Sequence, residues 1–154
     1  LWRSVRSDAA HAGQLYRRSR RVDAEGEPQH VDLQPLLPEV LYNREKTFHF
    51  TINDLVKIIS EKMNEKISLA TVYNTVHAFE KKGYLKEISI DSHKSYFDTN
   101  TSAHHHFFDE DTHELIDCDE SDIDKINIRK NITGKKINSV EVLIRVASDN
   151  QTQK

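Results

Sequence analysis

Three consecutive histidines, His104, His105 and His106, are the residues whose type and spacing are best suited to chemistry in this chain. Imidazole ligates borderline metal ions and heme iron, and it also gains or loses a proton near neutral pH. On an extended backbone successive side chains point to opposite faces, so His104 and His106 share one face while His105 takes the other. A single protein ligand binds a metal ion weakly, so we expect residues distant in sequence to complete a site here.

Composition restricts the kinds of protein that could carry such a site. The 154 residues suit one domain or two small ones, and 36% hydrophobic with 31% charged residues permits a modest packed core. Cys118 is the single cysteine, which excludes an intrachain disulfide and a paired-cysteine zinc site. No apolar run approaches the roughly 20 residues that span a bilayer, and no signal segment follows the N-terminus. We therefore expect a soluble, cytoplasmic protein that does not associate with a membrane.

The first 38 residues differ in composition from the rest of the chain. They contain six arginines, no lysine and all three prolines, whereas residues 39–154 contain thirteen lysines and three arginines. Such a segment is typical of a flexible basic arm or linker. A different origin from the rest of the chain, such as a fusion or a shifted reading frame, would give the same contrast. Both interpretations of residues 1–38 stay open at this point.

Helical patterning becomes regular from Thr51. Thr51 and Asp54 have the spacing of a weaker capping box, and apolar residues then recur at helical spacing for three turns. Ser68 is a good N-cap for a second helix that runs to Lys82, and Gly83 is suited to end it. This second helix has an apolar stripe formed by Leu69, Val72, Val76 and Phe79.

A hairpin is predicted directly after the second helix. Residues 85–90 and 94–98 have strand-like composition and flank a turn at residues 91–93. Two short helices followed by a hairpin are typical of a winged helix-turn-helix, whose first helix must come from about residues 33–45. We therefore predict a winged-helix domain over residues 39–98.

The C-terminal part is predicted to form a smaller domain over residues 99–154. An acidic stretch at 109–124 includes a short strand at Leu115-Ile116, residues 119–133 are predicted to form a helix, and alternating apolar residues over 140–146 predict a final strand. One apolar sheet face in so small a unit needs a partner subunit to cover it. The predicted fold class is α+β, with an N-terminal winged helix-turn-helix domain and a small α/β dimerisation domain.

The outward face of the second helix indicates DNA reading. Small polar side chains let a helix lie deep in a major groove, where Asn74 can read adenine with two hydrogen bonds. Tyr73 can contact a phosphate or a thymine methyl group, and Lys81 and Lys82 can reach the DNA backbone. The net charge of −3 argues weakly against coating nucleic acid by bulk charge but allows a local basic face. An ordinary amphipathic helix with an uncharged face is the alternative. The residues predicted to contact DNA are Ser68, Thr71, Tyr73, Asn74, Thr75, Lys81 and Lys82.

These motifs resemble those of a known family. The segment Ile67-Ser68-Leu69-Ala70-Thr71-Val72-Tyr73-Asn74-Thr75 is similar to the recognition-helix signature of the ferric uptake regulator family. The segment Tyr96-Phe97-Asp98-Thr99-Asn100-Thr101, followed by the histidine run, resembles the iron response regulator branch of that family. The resemblance covers about residues 40–147 and implies a dimeric transcriptional regulator of iron and heme metabolism genes. It also implies that the regulator responds to iron or heme and binds AT-rich operator DNA.

The resemblance further implies a set of metal ligands. In this family a histidine before the second helix and two carboxylates join the histidine run, and the matching positions here are His49, Asp98 and Asp117. Ligands from both predicted domains would let a bound ion set the angle between them. Nitrogen and oxygen ligands suit Fe²⁺, Mn²⁺ or Zn²⁺. The implied metal ligands are His49, Asp98, His104, His105, His106 and Asp117, and the implied heme ligands are His104, His105 and His106.

The chain departs from the family pattern at its N-terminus and after the histidine run. Residues 1–38 do not match the family's usual N-terminal stretch, and Phe107 or Phe108 replaces a further histidine. A heme- or metal-binding module without DNA binding is therefore one alternative function. A metal-dependent hydrolase is another, although the chain has no His-Glu-x-x-His motif. For His113 and Cys118 we expect a loop histidine and a buried thiol rather than ligands.

Overall fold

The computed structural model describes residues 20–22, 24 and 28–149. The chain divides into a unit that ends at Thr101, here called unit 1, and a unit that starts at Ser102, here called unit 2. The predicted boundary after Asp98 lies in the same loop, between the last strand of unit 1 and the first strand of unit 2. Among the described residues, no helix is both long and apolar enough to cross a membrane.

The described part of the N-terminal segment is structured. Strand β1 (Arg20–Val22) pairs antiparallel with β2 (Pro28–Val31). Leu33, Leu36 and Leu37 follow and are fully buried in the core of unit 1. Residues 33–37 therefore belong to the core of unit 1, because burial of their leucines removes apolar surface from water. Residues 1–19, 23 and 25–27 of the N-terminal segment lie outside the described residues.

Unit 1 contains the helices that the sequence predicts. They are α1 (Leu37–Tyr42), α2 (Ile52–Met63) and α3 (Leu69–Lys81). Helix α1 is shorter than the predicted range of about 33–45. Proline lacks an amide hydrogen and favours the start of a helix, so Pro38 fits the first turn of α1, and Asn43 already has non-helical backbone angles.

Helix α2 begins with the predicted capping box. The Thr51 hydroxyl accepts from the Asp54 amide at 3.2 Å, and the Asp54 carboxylate accepts from the Thr51 amide at 3.0 Å. These bonds satisfy amide groups that have no partner inside the helix. The cap places Leu55, Ile59 and Met63 on the buried face, as the helical spacing predicts.

Replacing Thr51 with alanine should reduce the free energy of unfolding by about 1 kcal/mol, because the Asp54 amide loses its acceptor. Urea denaturation followed by far-ultraviolet circular dichroism measures this change. The Thr51→Ser variant is the matched control, since its hydroxyl can still accept, and it should be close to wild type. Equal losses in both variants would contradict a capping role.

Helix α3 begins after Ser68 and ends before Gly83, as predicted. The Ser68 hydroxyl accepts from the Thr71 amide at 3.1 Å, and Gly83 takes the left-handed backbone at φ +78° that glycine adopts easily. The predicted apolar stripe is correct for the residues that follow the first turn, but Leu69 is 54% exposed. Leu69 is the first helical residue, and Ile67 already closes the core at that end. The buried residues of the stripe are Val72, Val76 and Phe79.

The predicted hairpin completes unit 1. Strand β4 (Lys86–Ser89) pairs antiparallel with β5 (Ser95–Asp98), and the other edge of β5 pairs with β3 (His49–Phe50). Phe50 and Phe97 lie opposite each other in this sheet and enter the core. The sheet therefore holds the ends of β3 and β5 against the helices.

Unit 2 is built on a small mixed sheet. Strand β6 (His105–Asp109) lies between β7 (Leu115–Cys118), which is antiparallel to it, and β8 (Leu143–Val146), which is parallel to it. The predicted strands at residues 115–116 and 140–146 are confirmed, with slightly different bounds.

The helix predicted over residues 119–133 is wrong. A single 3-10 turn, Glu120–Asp122, is followed by irregular backbone up to β8. An isolated helix needs a packed apolar face, and Ile126, Ile128 and Ile132 do not share one helical stripe. These side chains are exposed in unit 2. Their β-branched shape also lowers helix propensity, which acidic residues at the helix start do not offset.

Asp111 makes the stability of unit 2 sensitive to acid. Hydrogen bonds from the Ser148 hydroxyl and amide lower the pKa of the Asp111 carboxyl, and the amide bond measures 2.6 Å. Because the folded pKa is below the unfolded one, Asp111 stabilises the fold above the ordinary carboxyl pKa. This contribution is lost as the pH falls through the lowered pKa. The midpoint temperature of thermal unfolding should therefore change less between about pH 5 and pH 2 in Asp111→Asn than in wild type. Asp124→Asn, at an exposed carboxylate, should behave like wild type.

Candidate metal centre

Three of the predicted ligands come together in unit 2. Strand register places His106 directly opposite Asp117, and His104 immediately precedes β6. The Nε2 atoms of His104 and His106 lie 3.0 Å and 3.5 Å from the same oxygen, Oδ1 of Asp117. The two imidazole rings have centroids 4.3 Å apart. His104, His106 and Asp117 are called the three-ligand set below.

Hydrogen bonding orients the His104 ring for metal binding. Its Nδ1 lies 2.9 Å from the Ser102 carbonyl oxygen, which can only accept, so Nδ1 donates. In the neutral ring Nε2 then has a lone pair and faces the Asp117 carboxylate. A cation between these two atoms would interact favourably with both. In metal-bound histidines, the N–H of the ring nitrogen that does not bind the metal commonly donates to a carbonyl in this way.

The spacing of the three-ligand set fits one small ion. Ligand atoms about 2.1 Å from a common ion lie about 3.0 Å apart in neighbouring octahedral positions and about 3.4 Å apart in tetrahedral ones. The measured nitrogen-to-oxygen distances of 3.0 Å and 3.5 Å fall at these values. Two imidazoles and one carboxylate suit Fe²⁺, Mn²⁺ or Zn²⁺. The donor set therefore has both the chemistry and the spacing that a divalent transition metal requires.

Unit 1 contains a second pair of predicted ligands. His49 and Asp98 lie opposite each other in the β3–β5 pair, and His49 Nε2 is 3.3 Å from Asp98 Oδ2. The other Asp98 oxygen accepts from the Asn100 amide at 2.7 Å. Asp98 is fully buried, and burial of a carboxylate is unfavourable unless a cation or hydrogen bonds compensate its charge. The pair is the second place where the sequence-predicted ligands are close together.

The structure does not bring His105 to either group of ligands. Alternation along β6 turns its ring away from His104 and His106, and its Nδ1 accepts from the Val142 amide at 3.1 Å. The prediction that His105 joins the metal ligands is therefore corrected: strand geometry separates it from the other two histidines. The alternation that the sequence itself predicts was sufficient to exclude His105 from the three-ligand set.

Cys118 and His113 remain outside the three-ligand set, as expected. Cys118 is buried, and its loss of solvation, together with the Asp122 and Asp119 charges, raises the pKa of its thiol. A raised pKa disfavours the thiolate that binds metal or heme iron. His113 lies in the β6–β7 turn with φ +59° and stacks on Phe108.

The residues predicted to contact DNA lie on and beside α3 and differ in exposure. Tyr73, Asn74, Lys81 and Lys82 are exposed. Thr75 instead donates its hydroxyl to the Thr71 carbonyl at 2.8 Å. The Ser68 and Thr71 hydroxyls are 2.8 Å apart and hydrogen-bonded to each other. Ser68 is exposed as well, whereas Thr71 and Thr75 are half-buried. Tyr73, Asn74, Lys81 and Lys82 are therefore better placed to make base and phosphate contacts than the two threonine hydroxyls.

His77 is a half-buried residue of α3 that packs beside this surface. Its ring contacts Tyr73 at a centroid distance of 4.3 Å and meets Phe97 edge-on at 5.4 Å. Phe97 precedes the buried carboxylate Asp98 in β5. His77 thus connects an exposed tyrosine of α3 to the strand that carries Asp98. The four-residue spacing of Tyr73 and His77 was the sequence signal for this contact.

Comparisons with known proteins identify relatives of the chain. The Ferric uptake regulator family matches residues 36–145. The "Peroxide operon regulator" of Bacillus subtilis is 31% identical over 90 residues, which are 58% of this chain and 61% of that protein. The "Peroxide-responsive repressor PerR" of Staphylococcus epidermidis is 31% identical over 78 residues, covering 51% of each protein. The chain thus spans between half and two thirds of the length of these relatives.

Solved structures show the same fold. The structure of the ferric uptake regulator from Pseudomonas aeruginosa with manganese has a TM-score of 0.54 and 24% sequence identity, covering 73% of this chain and 84% of that chain. A structure described as "Structure of Prokaryotic Transcription Factors" has a TM-score of 0.55 and 17% identity, covering 75% of this chain and 94% of that chain. At these identities the likeness concerns the fold alone. The match over residues 36–145 covers well over half of the sequence and includes α3, the hairpin and the histidine run. The chain therefore belongs to the ferric uptake regulator family.

Proposed function

We propose that this chain is a metal-responsive, DNA-binding transcriptional regulator. Members of its family are transcriptional regulators and not enzymes, which removes the reason to consider a hydrolase. The observation that carries the proposal is the convergence of His104 and His106 on one oxygen of Asp117. Two imidazoles and a carboxylate that meet at one point supply the donor types that bind divalent transition metals.

The metal centre is proposed to hold Fe²⁺ or Mn²⁺, with Zn²⁺ as a further candidate. We also keep the sequence-based proposal that His49 and Asp98 bind the same ion as the three-ligand set. Its support is chemical: three ligands leave positions open on these ions, and a histidine with a carboxylate supplies the same donor types. Replacing His49 with alanine should then weaken binding of that ion, and an unchanged affinity would contradict this arrangement.

Helix α3 is proposed to read DNA within a winged helix-turn-helix. The support is its exposed face of Tyr73 and Asn74, with Lys81 and Lys82 at its C-terminal end. Asparagine can read a base edge, and lysine can contact phosphates. We further propose that the regulator acts in the cytoplasm as a homodimeric repressor at an AT-rich operator. A partner subunit would cover the exposed apolar residues of unit 2.

The direct test is binding of a fluorescent AT-rich operator fragment, measured by anisotropy with and without Mn²⁺. We expect Mn²⁺ to raise the affinity and a steep loss of affinity with increasing salt, as phosphate contacts require. A scrambled duplex of equal length is the control for sequence specificity. Equal affinity for both duplexes at every Mn²⁺ concentration would contradict the proposal.

The finer proposal is membership of the iron response regulator branch, with heme bound at the histidine run. It rests on the resemblance of residues 96–106, which implies His104, His105 and His106 as heme ligands. Because His105 faces away from the other two, His104 and His106 are the candidates that this structure favours. It is tested by titrating the chain with hemin and recording the Soret band. The variant with all three histidines changed to alanine is the comparison. An unchanged Soret band in this variant would remove the heme assignment. It would not contradict the separate proposal of a divalent metal centre.

A further inference from the structure

His105 points away from the three-ligand set and makes a hydrogen bond of its own. Its Nδ1 lies 3.1 Å from the amide nitrogen of Val142. An amide N–H can only donate, so Nδ1 must accept. In a neutral imidazole that carries a lone pair on Nδ1, the proton is on Nε2. The Val142 amide therefore specifies the tautomer of His105.

Val142 is held by two neighbouring histidines through its two backbone groups. Its amide donates to the His105 ring, and its carbonyl accepts from the His106 amide at 3.0 Å. Val142 immediately precedes β8, an edge strand that pairs in parallel with β6 from Leu143 onward. These bonds thus lie where an irregular, exposed segment joins the sheet.

We propose that His105 is a positioning residue that fastens the start of β8 to β6 and thereby holds the backbone of His106 in place. When the Val142 amide has its acceptor, the Val142 carbonyl stays against the His106 amide. His106 carries one nitrogen of the three-ligand set, so its backbone position affects how well that set is organised. The importance of His105 for metal binding rests on the proposed function, whereas the hydrogen bond to Val142 does not.

The same geometry makes fastening and metal coordination by His105 mutually exclusive. Coordination through Nε2 requires a lone pair there, which moves the proton of a neutral ring to Nδ1. Nδ1 would then face the Val142 amide as a second donor, and the hydrogen bond would be lost. His105 thus differs in role from His104, whose Nδ1 donates to a carbonyl and whose Nε2 faces Asp117.

The hydrogen bond can be tested on the metal-free chain. Nitrogen-15 NMR of the imidazoles at about pH 8, where an ordinary histidine is neutral, should show His105 protonated at Nε2. The His105→Phe variant keeps a ring without an acceptor and should exchange the Val142 amide hydrogen about tenfold faster. The His105→Asn variant offers an amide oxygen to Val142 and should exchange like wild type. Protonation of His105 at Nδ1, or unchanged Val142 exchange in His105→Phe, would overturn the proposal.

Titration with Mn²⁺ tests the effect on the metal centre. His105→Phe should bind Mn²⁺ about tenfold more weakly than wild type, and His105→Asn should restore the affinity. Equal weakening in both variants would mean that His105 is itself a ligand, which overturns the positioning role. If wild type binds no Mn²⁺ while the NMR results are as expected, the proposed function fails and the fastening of β8 by His105 stands.

Discussion

Changing Asp117 to asparagine should lower the affinity of this chain for Mn²⁺ by at least about 100-fold, more than loss of an indirect supporting contact. One oxygen of Asp117 lies within 3.5 Å of both ligand histidines, so a single change affects both nitrogen-to-oxygen pairs of the three-ligand set. Asparagine has nearly the same size but lacks the negative charge that compensates a divalent ion. Competition with a chromophoric chelator measures the affinity. The increase in DNA affinity that Mn²⁺ causes should disappear in the same variant.

Asp124→Asn is the matched control for this experiment. Asp124 is an exposed carboxylate of the irregular segment in unit 2, so the change removes one negative charge without altering a predicted ligand. Both variants should keep the wild-type far-ultraviolet spectrum, because Asp117 is not part of the buried core of unit 2. An affinity of Asp117→Asn within about threefold of wild type would contradict the proposed centre, since a ligand change costs more than that.

Changing Tyr73 and Asn74 together to alanine should reduce affinity for the operator at least about 100-fold without changing affinity for Mn²⁺. A good pair of hydrogen bonds from asparagine to a base contributes about 1–3 kcal/mol of discrimination, and the exposed Tyr73 ring adds contact area. Asn74→Ala alone should reduce the difference in affinity between the operator and a scrambled duplex. Lys82→Ala should instead weaken binding to both duplexes equally. It should also lower the slope of log affinity against log salt concentration by about 1 in magnitude.

Lys125→Ala is the charge-matched control for Lys82→Ala, because Lys125 is an exposed lysine of the irregular segment in unit 2. It should leave affinity for the operator unchanged.

The Tyr73 and Asn74 double variant also distinguishes a DNA-binding regulator from a metal-binding module without DNA binding. Wild-type affinity for the operator in the Tyr73 and Asn74 double variant would show that α3 does not read DNA, whatever the metal affinity.

Local sequence was sufficient to predict the helices α2 and α3 and the hairpin after them. Thr51, Ser68 and Gly83 mark helix ends through side-chain hydrogen bonds or backbone freedom within a few residues, so neighbouring residues decide them. The alternation of an extended strand likewise predicted that His104 and His106 share a face. Both predictions depend on short-range geometry that the order of residues determines directly.

The segment after Cys118 shows where such reasoning fails. Acidic residues at 119–124 and basic residues at 129–130 match the charge preferences of a helix, yet the backbone there is irregular. Charge preferences contribute little compared with burial of an apolar face, and burial depends on which other elements are available to pack against. The buried leucines at 33–37 are the opposite case, since packing in unit 1 overrides a composition typical of a linker.

The sequence by itself determined the residue types of the site: nitrogen and oxygen donors in and around a histidine run, and an exposed polar helix face with lysines at its end. Tertiary structure decided which donors meet. The register of β6 with β7 places Asp117 opposite His106, and the pairing of β6 with β8 gives His105 the Val142 amide instead of a metal ion. Register between distant strands depends on side-chain packing and turn geometry across the whole sheet, so a linear motif cannot specify it.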